Sequence, residues 1–372
     1  MIYLDSAATT FLKPEPVRRA VNDAILTMSS PGRGGYRAAM RAAELCYACR
    51  EAAGELFSCP AERVVFTSSA THGLNIALRS LVKPGDRVVI SGWEHNAVTR
   101  TLTALGASLS VAGGALFSPD ELTEQFGRLL PGAACCVCTH VSNVFGYVLP
   151  MDDIAAMCRR QGVPLVVDAA QSAGCLPVNM EKWKARFIAM PGHKGLHGIQ
   201  GTGLLLCSGE AEPLLFGGTG SASVRQTMPD ELPDRLEAGT HNMPGIAGLL
   251  AGMNYVKKLG PGRIAAHEVK LRRLLSRQLD TMSGAEVFES GSGSVQTGVL
   301  SVRFARINCE SAAQALSDRG VAVRSGLHCA PLAHRSAGTL ESGTVRFSFS
   351  PMNTEAEIIR TSKIIRDILN KS

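Results

Sequence analysis

Residues 321–334 read VAVRSGLHCAPLAH, a short apolar run followed at once by Arg324, Gly326, His328 and Cys329. A thiol attacks as its thiolate, which forms in a cationic, partly exposed setting, and Arg324 and His328 on the same loop are expected to supply one. Cys329 therefore reads as a nucleophile presented on a loop, because a packed core strand rarely continues as GLHCAPLAH. The other cysteines among the eleven carry weaker signals. Cys46 and Cys49 form a CxxC inside RAAMRAAELCYACREAAGELF, a helical pattern with no second ligand pair at metal spacing, so no metal site is expected. Cys135, Cys136 and Cys138 stand in the β-like run AACCVCTHVSN, where small thiols pack as core residues. Cys175, Cys207 and Cys309 read as packing residues too.

Two further chemical signals lie at strand ends. Asp168 closes the run PLVVD, and a carboxylate at the end of a buried strand needs a cationic partner to stay ionised. Capping of the next helix is the plainer alternative. About 25 residues on, MPGHKGLHGIQGTG (190–203) sets His193 and Lys194 in a turn whose Gly192 and Gly195 let the backbone approach a ligand. A desolvated lysine in such a turn has a lowered pKa and can form a Schiff base. Together the two residues point to pyridoxal 5'-phosphate. The lysine holds the aldehyde, and the aspartate keeps the pyridine nitrogen protonated so that the ring acts as an electron sink. FTSSATHGLNIAL (66–78) offers a phosphate cradle, a strand running into small hydroxylic residues that open a helix. The backbone N–H groups of Ala70 and Thr71 and the Thr71 hydroxyl would point at the anion. Taken alone, this segment reads better as an ordinary Ser/Thr helix cap.

The elements that must position these groups follow from periodicity. Short β-rich runs at 63–68, 86–92, 133–141, 164–171, 186–192 and 202–209 alternate with helix-like segments such as 72–82, 95–105 and 151–161. That pattern predicts an α/β domain with a large, mostly parallel sheet, whose ligands bind at the carboxyl ends of its strands. After about residue 245 come long helices to about 281, the runs VLSVRF, VAVRS and TVRFSFS, and a closing helix with Thr354 and Glu357 placed as a capping box. This part reads as a smaller α+β C-terminal domain. The division expected is a large domain over 14–245 and a small domain over 246–372, joined by the N-terminal segment 1–13.

Composition narrows the function classes. At 372 residues, 45% hydrophobic and 19% charged, the chain fits a two-domain globular protein. The net charge of +6 is mild and no basic run interleaves with aromatics, so nucleic acid is not an expected partner. No apolar stretch reaches the ~20 residues of a membrane span, and MIYLDSAATT is no signal peptide, so a cytoplasmic protein with reduced thiols is expected. A nicotinamide dehydrogenase would need G-x-G-x-x-G between its first strand and helix, and GSGSVQTG (291–298) fits neither spacing nor context.

The joint pattern, from LDSAATT (4–10) to VRFSFSPMNTEAE (345–357), resembles the class V aminotransferase family of fold-type I pyridoxal phosphate enzymes. Within it the chain is most similar to the cysteine desulfurases and selenocysteine lyases whose nucleophile sits in R-x-G-x-H-C-A. The resemblance implies that Lys194 is the Schiff-base lysine, Asp168 pairs with the pyridinium nitrogen and Gln171 contacts the ring hydroxyl. It places Asn143 beside that hydroxyl and the substrate, and His95 on the ring face, from where it can also relay protons. Thr71 and His193 would bind the phosphate. Thr240 would reach the phosphate of the neighbouring subunit, implying a homodimer with shared active sites. Arg346 would hold the substrate α-carboxylate, with Arg324 nearby. The implied substrate is L-cysteine or L-selenocysteine. Lys194 would take the Cα proton, and Cys329 would accept sulfur as a persulfide for delivery to an acceptor protein.

Three positions depart from the family pattern. Pro191 stands where a phosphate-binding Ser or Thr is usual, Met352 replaces a tyrosine before Asn353 and Thr354, and Arg186 replaces an acidic residue. They bear on cofactor affinity and subgroup. A cysteine β-lyase or an aminotransferase on the same fold is the main alternative, and a non-catalytic sulfur-handling protein a third. The second is distinguished by whether Cys329 is needed, the third by the absence of yellow colour.

Overall fold

The computed structural model describes residues 1–32, 34–291 and 295–370, so residues 292–294 of the GSGSVQTG run lie outside the described residues. The β-rich runs become a seven-stranded sheet. Its order is Val64–Thr67, Gly203–Cys207, Phe187–Pro191, Leu165–Asp168, Cys135–Thr139, Arg87–Ser91 and Ser108–Ala112. All neighbours are parallel except the two pairings made by Gly203–Cys207, which are antiparallel. The four central strands with apolar runs are buried along their whole length, as a sheet covered by helices on both faces requires. The edge strand Ser108–Ala112 escaped the periodicity because its sequence SLSVA is half exposed and only weakly apolar. Cys135, Cys136 and Cys138 pack in this core, and Cys46 and Cys49 face it from the helix Arg37–Phe57.

A second, antiparallel sheet of four strands follows the order Arg324–Gly326, Thr344–Ser348, Val299–Phe304 and Ala285–Phe288. Helices Pro261–Leu279, Cys309–Ser317 and Glu355–Leu369 cover it with Leu271, Leu275, Leu316, Ile358 and Ile365. Thr354 and Glu357 form the reciprocal capping box of the last helix. The N-terminus belongs to this second core. Ile2 and Leu4 are buried in it, and Ile2–Tyr3 pairs in parallel with Val321–Ala322. VAVRS is thus split, its first two residues pairing with the N-terminus and Arg324–Gly326 joining the four-stranded sheet. The expected long helical stretch is two helices, broken at Gly260 (φ +85°) and Pro261. The first, Met243–Leu259, gives Met243, Ile246, Leu249 and Met253 to the core of the large sheet.

Candidate active site

Carboxyl ends of the parallel strands carry Ser91, Thr139, Asp168 and Pro191, and the loops leaving them gather the chemistry. The loop after Asp168 abuts the turn that holds Lys194. A Cβ on Gly174 (φ +96°) would sit 2.2 Å from the Gly195 carbonyl oxygen, and one on Gly195 would sit 2.3 Å from that of Ala173. Only glycine on both sides permits this contact.

Asp168 is 3% exposed, and one oxygen accepts the Ala170 N–H at 2.9 Å. Burial raises its pKa, opposed by that hydrogen bond and by Lys194. Burial likewise brings the Lys194 ammonium down to about 8; Asp168 opposes the shift, while Arg346 and Arg324 add to it. The strand-end acid and the turn lysine therefore share one electrostatic environment. His95 caps the helix Asn96–Ala104 by accepting the Ala97 N–H on Nδ1 at 3.0 Å, which leaves the proton of the neutral ring on Nε2. Burial, Lys194 and Arg346 push its pKa down to about 4, so the ring is neutral at physiological pH.

The helix Ala70–Leu81 begins at Ser69, whose hydroxyl accepts the His72 N–H, while the Ser69 carbonyl accepts that of Gly73. The N–H groups of Ala70 and Thr71 have no partner among the described residues, and Thr71 is exposed. Two donors at a helix start, with the positive end of the helix dipole behind them, form an anion cradle. Ser68, His72 and the exposed Thr240 line one cavity of about 250 Å³.

Cys329 stands apart from every other cysteine. All eleven are free thiols, ten are buried, and Cys329 alone is exposed. It and His328 both adopt left-handed backbone conformations (φ +57° and +51°), which cost non-glycine residues of order 1 kcal/mol each. Two asparagines hold the strained loop. Asn143 Nδ2 donates to the His328 carbonyl at 2.7 Å, and the Asn96 N–H donates to the Cys329 carbonyl at 2.7 Å. His328 does not supply the expected cation. Burial and Arg346 push its pKa down to about 2, and its Nε2 donates to the Arg324 carbonyl at 3.3 Å. The cations whose charge bears on His328 in this loop are the exposed Arg324 and the buried Arg346.

Arg346 is 2% exposed in the strand Thr344–Ser348. One terminal nitrogen donates to Asp5 at 2.9 Å, the other to the Asn143 carbonyl at 2.9 Å, and the buried Nε has no partner among the described residues. A guanidinium with an unsatisfied buried N–H suits a carboxylate ligand. Gln171 donates through Nε2 to the Ala7 carbonyl at 3.0 Å, and His193 Nδ1 lies 3.1 Å from the Thr9 hydroxyl. The structure thus joins Asn143, Arg346 and the Cys329 loop by direct contacts and links Asp168, Lys194 and His95 electrostatically.

Sequence reasoning missed several residues that hold these groups in place. Glu94, fully buried, accepts from the Ser91 hydroxyl at 2.5 Å and the Thr139 N–H at 2.8 Å, tying two strand ends together beside His95. Asp5 partners Arg346, and Lys13 donates to the Thr10 hydroxyl at 2.6 Å. Asp5 and Thr10 lie within LDSAATT, so the motif was visible although the role of each residue was not.

A parallel sheet offering a buried acid and a lysine turn at its strand ends, closed by a small α+β unit, is the architecture of fold-type I pyridoxal phosphate enzymes. The chain belongs to the class V aminotransferase family, whose model matches residues 2–360. It is 32% identical to a probable cysteine desulfurase of Methanothermobacter thermautotrophicus, covering 99% of this chain and 94% of the relative. A probable cysteine desulfurase of Pyrococcus abyssi is 30% identical, over 96% and 92% of the two chains. Among solved structures, the apo cysteine desulfurase from Thermococcus onnurineus superposes with a TM-score of 0.91 at 30% identity, covering 100% of this chain and 95% of that one. The Escherichia coli cysteine desulfurase CsdA, in its S-sulfonic acid form, gives 0.88 at 26% identity, over 99% and 94% of the two chains.

Proposed function

We propose that this chain is a pyridoxal phosphate-dependent cysteine desulfurase that releases L-alanine from L-cysteine and keeps the sulfur on Cys329 as a persulfide. The residues present fit the cofactor. A buried strand-end carboxylate whose ionised form burial disfavours suits a pyridinium nitrogen, and two unpartnered helix N–H groups suit its phosphate. Lys194 would carry it, with Asp168 at the ring nitrogen, Gln171 and Asn143 near the ring hydroxyl, and His95 against the ring. Ala70, Thr71 and His193 would hold the phosphate. When bound, the cofactor supplies an electron sink for the substrate Cα.

Arg346 holds the substrate carboxylate, assisted by Arg324. Lys194, brought down to about 8, has an appreciable fraction of free amine at neutral pH and takes the Cα proton. The Cys329 thiolate attacks the substrate sulfur, so that an S–S bond forms while the substrate's Cβ–S bond breaks with its electron pair left on carbon. A proton delivered to that carbon and the return of the Cα proton from Lys194 complete alanine, and atoms balance as two thiols in, one persulfide and one methyl group out. Selenocysteine would undergo the same displacement through selenium. Thr240, exposed at the edge of the cavity beside the phosphate cradle, suits a shared site in a homodimer. A sulfur-acceptor protein would then draw the persulfide from the exposed Cys329.

One observation carries the reading: Cys329 alone is exposed among eleven cysteines, on a strained loop tied to Asn143 and Asn96. Cys329→Ser should keep the cofactor's visible band and still bind cysteine, while alanine release falls about a hundredfold or more. Mass spectrometry of the wild-type protein after cysteine treatment should find the extra sulfur on the peptide carrying Cys329. Wild-type turnover by Cys329→Ser, or pyruvate and ammonia in place of alanine, would return the chain to the β-lyase class.

A further inference from the structure

His193 precedes the lysine in its turn, and its carbonyl is the most heavily contacted acceptor of that turn. The Thr10 N–H and the Thr10 hydroxyl each lie 3.0 Å from this oxygen, and the Lys13 ammonium lies 3.4 Å away. A carbonyl oxygen has two lone pairs, and Thr10 alone fills both. The hydroxyl of Thr9 lies 3.2 Å from the same oxygen and 3.1 Å from His193 Nδ1, but it has a single proton to give. With the carbonyl already satisfied, the proton is best used on the ring nitrogen.

The consequence is a choice of tautomer. If Thr9 donates to Nδ1, that nitrogen is an acceptor and the neutral ring carries its proton on Nε2, as an N–H donor. If instead Thr9 donated to the carbonyl, Nδ1 would hold the proton and Nε2 would present a lone pair, which repels an anion. The ring is neutral in either case, because burial, Lys194 and Lys13 bring its pKa down to about 4.

We infer that Thr9 is a positioning residue that fixes the Nε2–H tautomer of His193, turning a neutral imidazole into a hydrogen-bond donor for the phosphate. This inference rests on the cofactor reading above and deepens it, since it supplies a donor next to Pro191, which has no backbone N–H and no hydroxyl. Thr10 and Lys13 take part indirectly, by occupying the carbonyl that would otherwise compete for the Thr9 proton.

The test uses the full-length protein freed of cofactor, with a pair of probes differing only in the phosphate: pyridoxal 5'-phosphate and pyridoxal. Thr9→Val keeps the branched shape and removes the hydroxyl. It should weaken pyridoxal 5'-phosphate by about tenfold or more while leaving pyridoxal nearly unchanged, and Thr9→Ser should restore the difference. In the cofactor-free wild-type protein, nitrogen-15 NMR of the histidines, assigned with His193→Gln, should show the Nε2–H tautomer. An Nδ1–H tautomer, or a Thr9→Val protein that keeps the wild-type preference for the phosphorylated probe, overturns the inference and leaves the cofactor reading standing. Equal loss of both probes in Thr9→Val would make the residue merely structural and also overturn it. A wild-type protein that binds neither probe overturns the cofactor reading itself.

Discussion

The Lys194 turn and the Cys329 loop both follow a strand and both present a nucleophile, yet they are built in opposite ways. The lysine turn is braced from two directions. The glycine contact at Gly174 and Gly195 locks it to the Asp168 loop, and Thr10 and Lys13 converge on the carbonyl just before it. The cysteine loop is exposed, carries two left-handed residues, and is held by two asparagine contacts from the large-sheet domain. A residue that must hold a cofactor through every turnover gains from rigidity. Under the proposed function, a residue that accepts sulfur and then passes it on gains from exposure, and the strain of its loop is maintained by the surrounding contacts. The two sites also differ in charge: burial lowers the lysine's proton affinity, whereas the histidine beside the cysteine is kept neutral by burial and by Arg346.

The largest effect that would break this comparison comes from Lys194→Ala. It should abolish the covalent cofactor adduct, and turnover should fall by about a thousandfold or more, because the variant lacks both the tether and the base. Borohydride reduction of the wild-type protein followed by peptide mapping should label Lys194. A label on Lys13, the other lysine that burial brings down to about 8, would reassign the anchor and leave the braced turn without its purpose.

Asn143 is the hinge of the comparison, since its side chain reaches the cysteine loop while its carbonyl accepts from Arg346. Asn143→Ala should leave the cofactor's visible band and affinity in place and slow persulfide formation on Cys329 by about tenfold, the worth of one lost buried hydrogen bond. The resemblance to the family suggests a different emphasis, with Asn143 beside the cofactor's ring hydroxyl. A variant that loses cofactor affinity in proportion to its rate would favour that role and weaken the view that Asn143 chiefly supports the cysteine loop.

Much of this was legible in the sequence because the chemistry sits where periodicity changes. Asp168 and Lys194 end strongly apolar runs, and those runs are the buried central strands. Cys329 was visible as a thiol in a loop where ten others fell in helices, strands or packed turns. The neutral state of His328 was not legible, because it depends on burial in the folded chain and on the charge of Arg346, eighteen residues away. Glu94 was hidden for a related reason. WEHNAV reads as a polar turn before a helix, and only the register of two parallel strands brings Ser91 and the Thr139 N–H onto one carboxyl oxygen. The split of VAVRS between two sheets likewise depends on the N-terminal strand, which is just two residues long.

The smallest effect tests whether Glu94 braces the rigid side of the site as a neutral group. Burial raises its carboxyl to about 8, against the lowering effect of its two hydrogen bonds, while an unfolded glutamate titrates near ~4.3. Between those values the folded protein binds a proton that the unfolded chain has released. The stability this proton contributes is fully present below the unfolded value and is lost as pH rises through the folded one. Glu94→Gln keeps a neutral acceptor for Ser91 and Thr139 and cannot titrate. Its melting temperature should therefore match the wild type near pH 4 and climb above it as pH approaches 8, with a differential slope of at most about 1.4 kcal/mol per pH unit. Glu268, also raised to about 8 by burial, titrates in both proteins and cancels from the difference. Melting curves that stay parallel from pH 4 to 8 would mean Glu94 is ionised in the fold, and a buried carboxylate between two strand ends would then need a cation that the cleft must supply.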